Sequence, residues 1–254
     1  MSPAAAEHST RESELSRALA SVHSRLAAAA RAAGRNVDDI ELLPVTKFFP
    51  ATDVAILVRL GCRSIGESRE QEAWAKIGEL AGVLGPAARQ VRWHMVGQIQ
   101  RNKVPRLARW AHTVHSVDSA RLVTALDRAA GAALAGGQRS APLRVYVQIS
   151  LDGDVARGGV DISAPGAVDD ICARVEASET LELVGLMGIP PVNWDPEKAF
   201  ARLHAEHRRV LESHPNAVGL SAGMSNDFEI AVKHGSTCVR VGTALLGPRP
   251  LRSP

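Results

Sequence analysis

Two stretches near the C-terminus carry residue types that could hold an anion: Ala217-Val-Gly-Leu-Ser-Ala-Gly-Met-Ser-Asn226 and Ser236-Thr-Cys-Val-Arg-Val-Gly-Thr-Ala-Leu-Leu-Gly247. In each, a short β-branched or apolar run (218–220 and 238–241) leads into glycine and hydroxyl residues that open a turn or helix. Ser225 is placed to cap a helix starting near Asn226, which would leave that helix's first N–H groups free. Gly242 lets backbone come close to a ligand, and Thr243 adds an N–H and a hydroxyl. Together they read as a cradle for a dianionic phosphate. Arg240 falls two residues before Gly242, so strand alternation puts both on one face. Taken singly, each half is an ordinary strand end. The repeated design, with an arginine inside it, points to phosphate.

A second chemical group lies far away in sequence. Glu41-Leu-Leu-Pro-Val-Thr-Lys47 reads as a buried strand with a lysine at its C-terminal end, followed by the apolar Phe48-Phe49-Pro50. Burial lowers a lysine's pKa and leaves neutral amine to attack a carbonyl. A lysine across the mouth from a phosphate cradle suggests a phosphorylated aldehyde held as a Schiff base. The plainer reading of Lys47 is the start of a solvated loop.

The elements that must position these groups follow from periodicity. Strands are predicted at 41–47, 64–67, 91–96, 112–116, 143–149, 181–186, 218–220 and 238–241. Helices are predicted at 13–33, 51–60, 69–81, 99–109, 118–134, 166–177, 196–213 and 226–234, the seventh capped by Asp195 with Pro196 in its first turn. Strict β/α alternation implies a parallel sheet, and eight units in about 250 residues fit a (β/α)8 TIM-type barrel with an extra N-terminal helix. A doubly wound sheet is the alternative. The domain reading is a flexible N-terminus (1–10), one barrel (11–247) and a flexible tail (248–254). Lys47, Glu67, Ser68, His94, Ser116, Gln148, Met187, Gly188, Ser221, Ser225 and Arg240 all fall at or just after strand ends, which in a barrel form one rim.

Composition excludes other classes. The chain has 254 residues, 45% hydrophobic and 22% charged, with a formal net charge of +3. Its basic residues are scattered, so neither a nucleic-acid nor a membrane footprint is expected. Cys62, Cys172 and Cys238 are odd in number and widely spaced, which suits reduced thiols in the cytoplasm. The charged N-terminus has no apolar segment of signal-peptide type.

The segments Val45-Thr-Lys47, Gly66-Glu-Ser-Arg-Glu-Gln-Glu72, Trp93-His-Met-Val-Gly-Gln-Ile-Gln-Arg-Asn-Lys103, Gly185-Leu-Met-Gly-Ile-Pro190, Gly223-Met-Ser225 and Val239-Arg-Val-Gly-Thr243 resemble the pyridoxal phosphate homeostasis protein family. That family is built like the barrel domain of alanine racemase without its second domain. The resemblance covers nearly the whole chain. It implies pyridoxal 5'-phosphate as cofactor, Lys47 as its Schiff-base lysine, Ser225, Gly242 and Thr243 on the phosphate, and Arg240 at the pyridine nitrogen. His94, Ser68 and Met224 are further candidate contacts. Ser68 stands where the family usually has Asn, and Ala222 where Met is common.

An arginine can only donate to a pyridine nitrogen and leaves it unprotonated, so the ring is a weak electron sink. A racemase needs a second, opposed base, and the one tyrosine, Tyr146, lies inside a predicted strand. The expected function is a pyridoxal phosphate carrier in vitamin B6 homeostasis with little or no turnover, acting as a monomer or weak dimer, with cofactor-dependent apo-enzymes as recipients. A racemase and an aldolase-type Schiff-base enzyme are the alternatives.

Several motifs carry less. His204-Ala-Glu-His207 has chelating spacing but no third ligand, so no metal is expected. His112 and His115 are predicted on opposite faces of a strand, and Asp152-Gly-Asp154 lacks a calcium loop. Arg101, Lys103, Arg106 and Arg109 read as the solvated side of a helix.

Overall fold

The computed structural model describes residues 3–154 and 157–249. Eight strands form the wall of a parallel barrel: β1 (Glu41–Pro44), β2 (Ser64–Glu67), β3 (Arg92–Met95), β4 (Thr113–Val117), β5 (Leu143–Ser150), β7 (Leu181–Gly188), β8 (Gly219–Ser221) and β9 (Cys238–Val241). The two-residue β6 (Val160–Asp161) is an addition that pairs only with β5, absent from the sequence reading. The barrel closes between β1 and β2 through the Val45–Gly66 bridge and a 2.9 Å bond from Thr46 N to Gly66 O. Glycine eases that close approach, since a Cβ on Gly66 would lie 3.2 Å from Val45 Cγ2.

The helices α2 (Ala51–Arg59), α3 (Glu70–Leu84), α4 (Val104–Trp110), α5 (Ala120–Ala135), α6 (Pro165–Glu176), α7 (Pro196–Ser213), α8 (Phe228–Lys233) and α9 (Thr243–Leu246) alternate with the strands. Their buried faces and the outward faces of the strands make up most of the apolar core. The N-terminal helix α1 runs Pro3–Ala32, beginning ten residues before the predicted start at residue 13. Its Leu15, Leu19, Val22, Leu26 and Ala30 recur every three or four residues and are buried, so one stripe docks on the barrel. The tail residues 250–254 assigned to a flexible segment lie outside the described residues.

Packing overrode two local expectations. α4 is shorter than predicted, and its Arg106 is not simply solvated: it clamps both carboxylate oxygens of buried Glu70 at 2.5 Å. His112 and His115 do not part to opposite surroundings. The ring of His94 lies against both, with centroids 5.7 and 5.3 Å away, beside a register shift in β4 between Val114 and Val117. His207 is buried and bonds Ala217 O at 2.9 Å, and no metal-ligand cluster occurs among the described residues.

Candidate functional site

Lys47, Met224, Ser225, Arg240, Gly242 and Thr243 share one cavity of about 570 Å³ at the C-terminal mouth of the barrel. Lys47 follows β1 in a tight turn closed by Phe49 N to Thr46 O at 3.0 Å. The next residue, Phe48, has φ +72°, in a turn position normally given to glycine. Among the described residues the Lys47 amine has no hydrogen-bond or ion-pair partner. Its pKa is lowered by burial first, then by Arg249 and Arg240, with Glu67 opposing. More of it is therefore neutral, as an amine nucleophile requires.

Thr46 is held from below. Its hydroxyl donates to buried Glu67 at 2.5 Å, and Lys76 Nζ donates to both Glu67 (2.6 Å) and Thr46 O (2.7 Å). Burial raises the Glu67 pKa while Lys76 pulls it down. This buried pair fixes the backbone that carries Lys47.

The side of the cavity opposite Lys47 is built from the segments that follow β8 and β9. Gly223 has φ +90°, and a Cβ there would lie 2.6 Å from Ala231 Cβ, so only glycine makes this turn. Met224 N donates to Asp227 Oδ1 at 2.6 Å and orders the loop. Ser225 does not cap the following helix, as the sequence suggested. The turn takes in Asn226 and Asp227 first, so α8 starts at Phe228, and Ser225 Oγ instead accepts from Ala244 N at 3.1 Å. That bond ties together the two halves of the cradle. Among the described residues, no acceptor in the chain faces the N–H groups of Ser225, Asn226, Gly242 or Thr243.

Arg240 is buried, donating from Nη1 to Ser221 Oγ at 2.6 Å and from Nη2 to Gly188 O at 3.0 Å. Among the described residues no carboxylate is hydrogen-bonded to it, and burial lowers its pKa. It nonetheless remains a cation at any working pH.

Two sequence candidates sit elsewhere. Ser68 lines a separate hollow with Gln98 and Lys103. His94 is buried in the lumen and reaches Arg240 only through His115 and Ser221. The sequence reading missed Asp227, whose pKa burial raises, and the apolar wall of Val45, Val96, Ile189, Pro190, Pro191 and Trp194. Ile189-Pro-Pro191 directly after β7 was the available signal.

Partnerless amine, free N–H groups and a donor-only arginine at one cavity fit an aldehyde, a phosphate and a ring nitrogen that accepts. The comparisons agree. The family model described as "Alanine racemase, N-terminal domain" matches residues 19–250. A Mycobacterium leprae protein named pyridoxal phosphate homeostasis protein is 72% identical over 247 residues, 96% of each chain. The chain belongs to the pyridoxal phosphate homeostasis protein family. A Corynebacterium glutamicum member is 44% identical, covering 84% of this chain and 91% of its own. PipY of Synechococcus elongatus, solved with PLP bound, superposes with a TM-score of 0.76 at 29% identity, over 92% of this chain and 100% of that one. Alanine racemase of Clostridium difficile (TM-score 0.62, 16% identity, 94% of this chain and 58% of that one) shares the barrel fold.

Proposed function

We propose that this chain binds pyridoxal 5'-phosphate at the barrel mouth and acts as an intracellular carrier of it, with little or no turnover. The observation that carries the reading is the single cavity in which the partnerless Lys47 amine meets the free N–H groups of 242–243 and buried Arg240. Pyridoxal phosphate supplies an aldehyde that can take up an amine, and a ring that can withdraw electrons. Lys47 provides the amine for a covalent carbon–nitrogen link, with loss of water. Ser225, Gly242 and Thr243 hold the phosphate with a hydroxyl and backbone N–H groups. Arg240 donates to the ring nitrogen and, keeping its own proton, leaves that nitrogen unprotonated.

Low turnover is supported by what surrounds Lys47. The titratable side chains on the cavity wall, among the described residues, are Lys47, Asp227 and Arg240. Asp227 is engaged by Met224 N. Tyr146 is buried, stacked on His115 with centroids 4.6 Å apart, and burial raises its pKa. Cys62, Cys172 and Cys238 are free thiols, in keeping with a reducing cytoplasm. Cofactor-dependent apo-enzymes are the proposed recipients.

A spectrum with a borohydride-trap peptide map tests the reading. Protein incubated with pyridoxal phosphate should absorb in the near-ultraviolet to violet, with the reduced label on the Lys47 peptide. Lys47→Ala should lose that absorbance yet keep its fold and part of its noncovalent affinity. Label on another lysine would refute the assignment. α-Proton exchange on alanine in deuterated water, at rates on the order of 1–1000 per second, would replace the carrier with a racemase.

A further inference from the structure

Below the cavity, a line of buried polar side chains crosses the barrel lumen. Arg240 Nη1 donates to Ser221 Oγ at 2.6 Å, Ser221 Oγ lies 2.9 Å from His115 Nδ1, and His115 Nε2 lies 3.0 Å from His94 Nδ1. His94 Nε2, itself buried, faces Glu41 Oε1 at 4.0 Å. Arg240 is 5% exposed, Ser221 and His115 0%, and His94 2%. The line joins opposite faces of the barrel. Arg240 lines the ligand cavity, whereas Glu41 opens β1 at the N-terminal face, where Ser64 Oγ donates to it at 2.6 Å and Arg92 lies 3.7 Å away.

The carboxylate at the far end selects between the two possible directions of the chain. A guanidinium only donates, so Ser221 accepts from Arg240 and has its own proton to give to His115 Nδ1. An accepting Nδ1 makes His115 the Nε2–H tautomer, which donates to His94 Nδ1. His94 then carries its proton on Nε2, aimed at the Glu41 carboxylate. The reverse order would leave a bare imidazole lone pair facing that carboxylate. Burial holds both imidazoles well below their ordinary pKa and therefore neutral, with His112, Arg92, Arg144 and Arg240 adding to the effect. Glu41 faces His94 across the gap, Tyr146 stacks on His115, and the Cys238 thiol lies close to both Ser221 and Glu41. Each dipole turns its negative end toward Arg240, a buried cation hydrogen-bonded to no carboxylate among the described residues.

We propose that Ser221, His115 and His94 are positioning residues for Arg240, forming a one-way hydrogen-bond chain that holds the guanidinium against the ligand's pyridine ring and couples it to Glu41 on the far face. The ring part of this rests on the function proposed above; the direction of the chain does not.

Nitrogen-15 NMR of the histidines in ligand-free protein at pH 7 should find both His94 and His115 neutral and protonated on Nε2. A proton on His115 Nδ1, or an imidazolium at either site, would overturn the chain. In the full chain, His115→Phe should weaken pyridoxal phosphate about tenfold, as for one lost hydrogen bond, and shift the bound ligand's absorbance, while affinity for inorganic phosphate stays unchanged. His115→Asn, which keeps an acceptor near the Nδ1 position, should bring back most of the loss. Equal loss for both ligands would reduce His115 to a packing role and defeat the proposal. Glu41→Gln should move the His115 resonances as well as those of His94, and a change confined to His94 counts against coupling. Wild-type protein that takes up no pyridoxal phosphate would defeat the functional reading, and the tautomers would still decide the chain.

Discussion

Arg25, in the C-terminal third of α1, donates from Nη2 to the carbonyl oxygen of Ser225 at 3.0 Å, across 200 residues of sequence. Its Nε pairs with Glu229 at 2.7 Å, and its guanidinium lies over the Phe228 ring at 4.5 Å. The N-terminal helix therefore fastens the loop of residues 224–227 that lines the cavity.

Arg25→Met keeps the apolar stem and removes that fastening. One net hydrogen bond is about 0.5–1.5 kcal/mol. The Glu229 pair adds about 0–1 kcal/mol because both side chains are more than a third exposed, at 38% and 39%. Pyridoxal phosphate affinity, measured by equilibrium dialysis, should fall about three- to tenfold with a Tm loss of a few degrees. Unchanged affinity would show that the loop holds itself.

Phe48 carries the strain of the Lys47 turn. Left-handed backbone at a bulky residue costs about 1–2 kcal/mol, which glycine avoids. Its ring also lies under Arg69 at 5.5 Å and Arg249 at 4.5 Å. Comparing Phe48→Gly with Phe48→Ala removes the ring in both. The glycine variant should be the more stable by about 1 kcal/mol in urea unfolding, against the usual order of these two residues in helices and strands. Both should form the covalent link more slowly than wild type. An alanine variant as stable as the glycine variant would mean the turn relaxes.

Lys76→Met leaves Glu67 buried without its cation. Breaking such a pair costs about 3–5 kcal/mol, whereas neutralising both members costs much less. Urea unfolding should therefore rank wild type above Lys76→Met/Glu67→Gln, and that double variant above Lys76→Met. The single variant should also take up cofactor more slowly, since Thr46 loses a donor next to Lys47. Equal stability of single and double variants would remove the pair from the account.

Acid should destabilise the fold below about pH 6.5. His94, His115 and His207 have folded-state pKa values depressed chiefly by burial. Between those values and the unfolded value near 6.5, the unfolded chain binds more protons. Stability is thus fully present above about pH 6.5 and lost as pH falls, with each fully buried imidazole contributing a slope of about 1.4 kcal/mol per pH unit. Glu67, with its raised pKa, acts with the opposite sign at lower pH. Urea midpoints measured from pH 8 to 5 should show the decline, and His94→Phe/His115→Phe should flatten it. A flat wild-type profile would contradict neutral buried histidines.

The sequence by itself determined the barrel and which residues stand at its mouth, because both are local. The eight wall strands and the helices between them declare themselves in short windows, whereas the two-residue β6 and the four-residue α9 do not, and β/α alternation leaves few topologies. Lys47, Arg240, Gly242 and Thr243 stand at strand ends, which a barrel must gather on one face. What only the tertiary structure decided depends on partners far apart in the chain. Ser225 looks like a helix cap until β9 brings Ala244 N within 3.1 Å of its hydroxyl. His94 looks like a rim residue until the barrel sets it 3.0 Å from His115. Arg25 carries no signal in the sequence, and its bond to Ser225 O exists only because α1 lies against α8. Such hydrogen bonds come from barrel closure and helix docking, which no sequence window contains.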